Sequence, residues 1–227
     1  MQTLYIIHGW AYSVEPWRKT LALLEQQGVK TKMLHVPGLT SPSDKVWTIE
    51  DYVAWADENL PKNAIALGHS NGGRILLNLC AQNPERLKKL ILLDAAGVYE
   101  PSRKRDVLRR LSKLAAPLKR LPLLRKAAHK LLGASDYSRA PENMKHTLSN
   151  MLDSDKSLEL NKVTTPTAII WGENDTITPP RQARMLHQQL PHSTLAFYAG
   201  WTHAPYICDP EGLAAAIVKA LNEEPKR

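Results

Sequence analysis

The sequence predicts an α/β fold: an open, mostly parallel six-stranded sheet with one helical insertion. Three observations carry that expectation. Short apolar runs at 4–7, 31–36, 64–67, 90–93, 167–171 and 194–198 are separated by longer connecting stretches. Helical periodicity fills many of these connections, at 15–27, 48–59, 72–82, 179–190 and 211–222, which is how parallel strands with crossover helices read. Between residues 99 and 164 the alternation stops, and apolar residues recur only at helical spacing.

Each element has its own signal. The helix after the first run is closed by Gly28, a residue free to take the left-handed conformation that ends helices. The second run leads to Thr48, which precedes Ile49 and Glu50 as an N-cap. The third run passes through a glycine-rich turn, residues 68–73, straight into its helix. The fourth ends at Asp94, after which Val107, Leu108, Leu111, Leu114, Ala115 and Leu118 mark a helical stretch and 122–132 repeats the habit before Gly133. The fifth ends in Gly172-Glu173-Asn174-Asp175, with Pro179 where the next helix begins. The sixth leads into Gly200-Trp201-Thr202-His203 and the last helix. The expected division is a core of 1–98 and 165–227 with a cap or lid of 99–164.

Composition narrows the function classes. A chain of 227 residues that is 43% hydrophobic and 23% charged can bury a sizeable core, so wholesale disorder is excluded. Two cysteines, Cys80 and Cys208, exclude a disulfide scaffold and a zinc site built on cysteine spacing. No apolar run reaches the roughly 18–20 residues that span a bilayer, and residues 1–9 carry no basic leader. A cytoplasmic location is therefore expected. Neither metal cluster, phosphate loop nor dinucleotide fingerprint is present, so no cofactor is expected. The formal net charge of +8 invites a nucleic-acid reading, yet no nucleic-acid module is recognisable, and no such partner is expected.

Ligands of an open parallel sheet bind beyond the carboxyl ends of its strands. Those ends carry His8-Gly9-Trp10, Gly68-His69-Ser70-Asn71-Gly72-Gly73, Asp94, Asp175 and His203. A serine, two candidate acids and a histidine thus share one edge, in the chain order serine, acid, histidine. Gly68-x-Ser70-x-Gly72 has the pattern of a nucleophile elbow. A serine on so sharp a strand-to-helix turn has its hydroxyl pushed clear of the main chain, and strand and helix pass too closely for side chains at the flanking positions.

With its order, its spacing, Trp171-Gly172-Glu173-Asn174-Asp175 and Gly200-Trp201-Thr202-His203-Ala204-Pro205, the sequence resembles the α/β-hydrolase superfamily over nearly its whole length. The chain opens on the His-Gly strand, so the resemblance implies a trimmed, six-stranded, all-parallel core with a helical cap. Carried over position by position, it implies Ser70 as nucleophile, Asp175 as acid and His203 as general base. It also implies backbone N–H groups of Trp10 and Asn71 as the oxyanion hole. Asp175 is preferred to Asp94, because Leu93-Asp94-Ala95-Ala96-Gly97 also reads as an ordinary strand-to-cap junction. His8 and His69 read as supports of their turns. Relatives commonly carry methionine, glutamine or an apolar residue where this chain has Asn71. Trp201, Trp10, Tyr99 and Tyr137 are candidates for an acyl pocket and, equally, for plain core.

The implied function is a serine hydrolase cleaving a carboxylic ester, thioester or lactone of a small-molecule acyl substrate. The alternatives are the same trio used for carbon–carbon bond hydrolysis or proton-abstracting elimination, and a non-catalytic binding module on the fold. The charge sits in one place. Eleven basic residues between 103 and 130 face two acids, Glu100 and Asp106, and the remainder of the chain is nearly neutral. Either they form a solvated polar face of the cap, or they meet anionic lipid or steer acidic substrates.

Overall fold

The computed structural model describes residues 3–100 and 140–223. Tyr137 and the basic run 103–130 lie outside them. The strands are β1 (Thr3–Ile7), β2 (Lys30–Leu34), β3 (Ala64–His69), β4 (Leu87–Leu93), β5 (Thr167–Gly172) and β6 (Ser193–Tyr198). They form one sheet in the order β2-β1-β3-β4-β5-β6, every pair parallel. The α-helices of the described residues are α1 (Arg18–Gln26), α2 (Ile49–Asn59), α3 (Asn71–Gln82), α4 (Glu142–Ser154), α5 (Pro180–Gln189), α6 (Pro205–Cys208) and α7 (Pro210–Asn222).

Both faces of the sheet are covered, which is why β3, β5 and the 90–93 run of β4 are buried at every position rather than at alternate ones. Ala64 and Ala66 of β3 join the cluster built with α2, α3, α4 and α5, whereas Ile65 and Leu67 join the opposite cluster with α1 and α7. All six residues of β3 are buried. Met144 and Met151 of α4, with Leu160 and Val163 after it, belong to the first cluster, so the chain re-enters the core well before residue 165.

The helix ends follow the sequence signals. After α1, the N–H of Gly28 bonds the carbonyl of Glu25 and that of Val29 the carbonyl of Leu24, with Gly28 at φ +79°. This is the paired C-terminal closure that favours glycine. Thr48 and Asp51 cap α2 reciprocally: the Thr48 hydroxyl accepts the Asp51 N–H and the Asp51 carboxylate accepts the Thr48 N–H.

β4 starts three residues earlier than its apolar run, and the reason is Lys89. That side chain is only 3% exposed, and its ammonium donates to the carbonyls of Leu221 and Glu223 at the end of α7. A lysine can thus occupy a buried strand by carrying its charge out to helix-end acceptors. Helix α6, four residues beginning at Pro205, has no counterpart in the sequence reading, being too short for a periodic pattern.

Candidate active site

β3 runs without a loop into α3, and the turn between them is Ser70, at φ +52°, ψ −118°. Few non-glycine residues adopt that backbone. Its glycine neighbours are demanded by close approach. A Cβ on Gly68 would lie 2.6 Å from Gly73 Cα, and one on Gly72 only 2.0 Å from the carbonyl oxygen of Ile7. The carbonyl of Ser70 accepts from Gly73, Arg74 and Ala96, which pins the turn from both sides.

The Ser70 hydroxyl lies 2.9 Å from Nε2 of His203, in the loop after β6. Nδ1 of His203 lies 2.7 Å from Oδ2 of Asp175, in the loop after β5. An ionised carboxylate only accepts, so Nδ1 carries the proton and Nε2 is left as acceptor for the serine O–H. The three side chains form one hydrogen-bonded line across three strand ends.

Asp175 is almost fully enclosed. Its Oδ1 accepts the N–H groups of Ile177 at 2.7 Å and Thr178 at 3.0 Å, and its Oδ2 also accepts the Thr178 hydroxyl at 2.6 Å. Burial disfavours its charge, but bonds from His203 and Thr178 outweigh that and hold the carboxyl below its ordinary range.

Asp94 occupies the neighbouring strand end with zero exposure and φ +44°. One oxygen accepts the Gly172 N–H at 2.8 Å; the other has no partner among the described residues. Burial, and next the Asp175 charge beside it, push its carboxyl up to about 8, against the Gly172 bond. The two acids are therefore differentiated by environment: Asp175, held by four donors, faces His203, and Asp94 faces inward.

The Trp10 and Asn71 backbone N–H groups find no acceptor among the described residues. Trp10 follows Gly9, whose Cβ position would be 2.8 Å from Ser70 Cβ, so this loop lies against the serine. Asn71 opens α3, where N–H groups have no partner within the helix.

The aromatic candidates separate. Trp201 is 3% exposed, stacks on Tyr198 and donates its indole N–H to Asp209, a core position. Trp10 is half-buried and packs against the α2–α3 cluster. Tyr99 is exposed.

Two further residues complete the arrangement: Thr178, which the sequence does not single out, and His69, whose role is wider than the one expected of it. Thr178 bonds Asp175 and lies 3.1 Å from both the Asp94 carbonyl and His203 Nδ1; the signal was the Asp175-x-x-Thr178 spacing, an Asx-type turn. His69, read as a turn support, reaches further than its own turn. Its Nε2–H donates to the carbonyl of His203 at 2.8 Å, and burial drives its own pKa down to about 3, keeping it neutral.

The alpha/beta hydrolase fold family model matches residues 2–163, most of the chain and all of β1 to β4 and the elbow. The chain belongs to the α/β-hydrolase family. Among curated proteins, this hydrolase is similar to two pimeloyl-(acyl-carrier protein) methyl ester esterases. That of Nitrosomonas europaea is 25% identical, covering 92% of this chain and 91% of the relative. That of Nitrosospira multiformis is 26% identical, covering 95% and 93%. Among solved structures, a thermophilic esterase from Thermogutta terrifontis superposes with a TM-score of 0.67 at 17% identity, covering all of this chain and 91% of the other. At that identity the likeness concerns the fold. No helix among the described residues is long and apolar enough to cross a membrane, and no group of metal-ligating side chains occurs among them.

Proposed function

We propose that this hydrolase cleaves a carboxylic ester through an acyl-enzyme, with Ser70 as nucleophile, His203 as general base and Asp175 as its carboxylate partner. The observation that carries the reading is the unbroken line from Ser70 Oγ through the His203 ring to Asp175. Nε2 of His203 takes the hydroxyl proton as Ser70 Oγ attacks the carbonyl carbon. Asp175 stabilises the imidazolium so formed and holds its tautomer. The N–H groups of Trp10 and Asn71 receive the oxyanion, each donor contributing about 3 kcal/mol in such sites. Collapse expels the alcohol, which takes the proton from Nε2. Water, deprotonated by the same nitrogen, then releases the acid and restores Ser70.

Two relatives named for a methyl ester of a carrier-bound acyl group support a small alkyl ester of an acyl substrate. The basic run 103–130 supports, by composition alone, an acidic carrier or anionic surface as the partner; a KM that does not rise with salt would exclude it. The proposed division places the cap within 99–164 and the catalytic core in the remainder.

The test pairs a fluorophosphonate probe with p-nitrophenyl esters of graded chain length. Wild type should label and turn over at least the short esters, and Ser70→Ala should do neither while keeping its thermal midpoint. A protein that labels but ignores every ester would move the assignment to carbon–carbon hydrolysis or elimination. One that does not label at high probe concentration would remove Ser70 as nucleophile.

A further inference from the structure

Directly after Ser70, Asn71 is 4% exposed, and its side-chain oxygen accepts Nη1–H of Arg74 at 2.5 Å. Arg74 is buried to the same degree. Its Nε and Nη2 donate to the two oxygens of Asp155 at 2.6 and 2.9 Å, a two-point ion pair whose side chains are 5% and 10% exposed. Asp155 stands at the C-terminal cap of α4, 81 residues further along the chain.

Stability alone does not account for this pair. A cation in the first turn of a helix opposes the helix dipole. A buried ion pair is also often no more stabilising than apolar groups of the same shape, because desolvation offsets the attraction between its charges. Here the geometry has an object. With both ends of the guanidinium fork held by Asp155, the remaining nitrogen is aimed at the one side chain attached to the oxyanion-side N–H. Asn71 has a second anchor through its neighbour, since the carbonyl of Ser70 already accepts from Gly73 and Arg74. The first turn of α3 is thereby fixed in both position and rotation.

We propose that Asp155 and Arg74 are positioning residues that act through the Asn71 side chain to set the direction of the Asn71 N–H at the oxyanion. The inference rests on the esterase reading above and deepens it: one half of the oxyanion site answers to the end of α4. It also gives a physical role to an asparagine where an apolar residue would make no such bond.

Two variants test it. Asn71→Leu cuts the tether and leaves the ion pair intact; Arg74→Met with Asp155→Leu replaces the pair by apolar groups. Each is compared with wild type for kcat and KM on a p-nitrophenyl ester, for inhibition by an alkylboronic acid, and for thermal midpoint. The boronate adduct places an oxygen where the oxyanion forms, so it reads the same donors as the transition state. Both variants should lose about tenfold or more in kcat and weaken boronate binding by the same factor, with KM within about twofold. A merely structural pair would lower the thermal midpoint and leave kcat and boronate affinity of the folded enzyme at wild-type values, which overturns the proposal. Should the double variant fail to fold, Asn71→Leu alone decides. A wild type that neither turns over the ester nor takes the boronate overturns the esterase reading, and this role with it.

Discussion

Asp175→Asn isolates the electrostatic part of the mechanism with almost no change in shape. Two of the four donors to Asp175 are backbone N–H groups, of Ile177 and Thr178, both on Oδ1. An asparagine must keep its oxygen there, because turning its NH2 toward two N–H donors would leave both unsatisfied, at about 1–3 kcal/mol each. The NH2 therefore faces the Thr178 hydroxyl and Nδ1 of His203. Thr178 can comply by swinging its O–H to the Asp94 carbonyl, 3.1 Å away. His203 can comply only by moving its proton to Nε2, which then donates to Ser70 instead of accepting from it. In the proposed mechanism the general base is then lost, and so is the negative charge that stabilises the imidazolium. Wrong-tautomer swaps of this kind cost about 10⁴-fold in kcat, or ~5.5 kcal/mol of barrier. Folding stability should change by no more than about 2 kcal/mol, since every donor keeps a partner. Turnover of p-nitrophenyl butyrate and the rate of fluorophosphonate labelling should fall together. A variant that keeps kcat within about tenfold of wild type would refute the tautomer argument and, with it, the carboxylate role proposed for Asp175.

The opposite result is expected at Asp94, whose folded-state carboxyl titrates near 8 rather than near 4. A raised acid stabilises fully below its unfolded value and loses that contribution as pH rises toward 8, so the advantage of Asp94→Asn over wild type in urea unfolding should grow from pH 4 to pH 8, with catalysis retained; a pH-independent gap sinks the idea. His69 has the reverse sign: depressed to about 3, it costs stability as pH falls from about 6.5. His69→Gln keeps an N–H for the His203 carbonyl but does not titrate, so its unfolding midpoint should gain on wild type between pH 6.5 and pH 4.5, and parallel curves would contradict this. Gly72→Ala puts a methyl 2.0 Å from the Ile7 carbonyl oxygen and 2.9 Å from that of His8. The β1 end and the elbow must separate, for a loss of about 3 kcal/mol visible in thermal melting; an unshifted melt would mean that the close approach is not real.

What the sequence made legible was local. Short runs marked all six strands, most plainly β3 and β5, which are buried at every position and so need continuous stretches that tolerate burial on both faces. The edge strands β2 and β6 are only partly buried and carry a weaker pattern. Gly28 and Thr48 marked helix ends through backbone conformation and side-chain reach within a few residues. Ser70 and Asp175 each stand within hydrogen-bonding distance of His203, all three at strand ends that the order of motifs picks out. What stayed hidden depends on partners far along the chain. The His69 bond spans 134 residues and the Arg74 bond 81, and no periodicity encodes either. The core setting of Trp201 depends on Tyr198 and Asp209, so its aromatic character said nothing about whether it lined a pocket. Lys89 hid the start of β4 because its buried stem and outward charge are opposite signals in one residue.

The distance in sequence between Ser70 and His203, 133 residues, also bears on how the molecule comes to life. Every strand pair in this sheet is parallel and needs a crossover, and such non-local pairings form slowly because chain closure precedes the contacts that reward it. β3 and its elbow can assemble with β1 and α3 early. The His203 loop cannot be seated until β5 and β6 have added to the sheet edge in turn. Helical circular dichroism should therefore recover before turnover during refolding. On the roles proposed for Ser70 and His203, a half-assembled chain would display the serine without its base, and turnover would begin only once the last strand is in place.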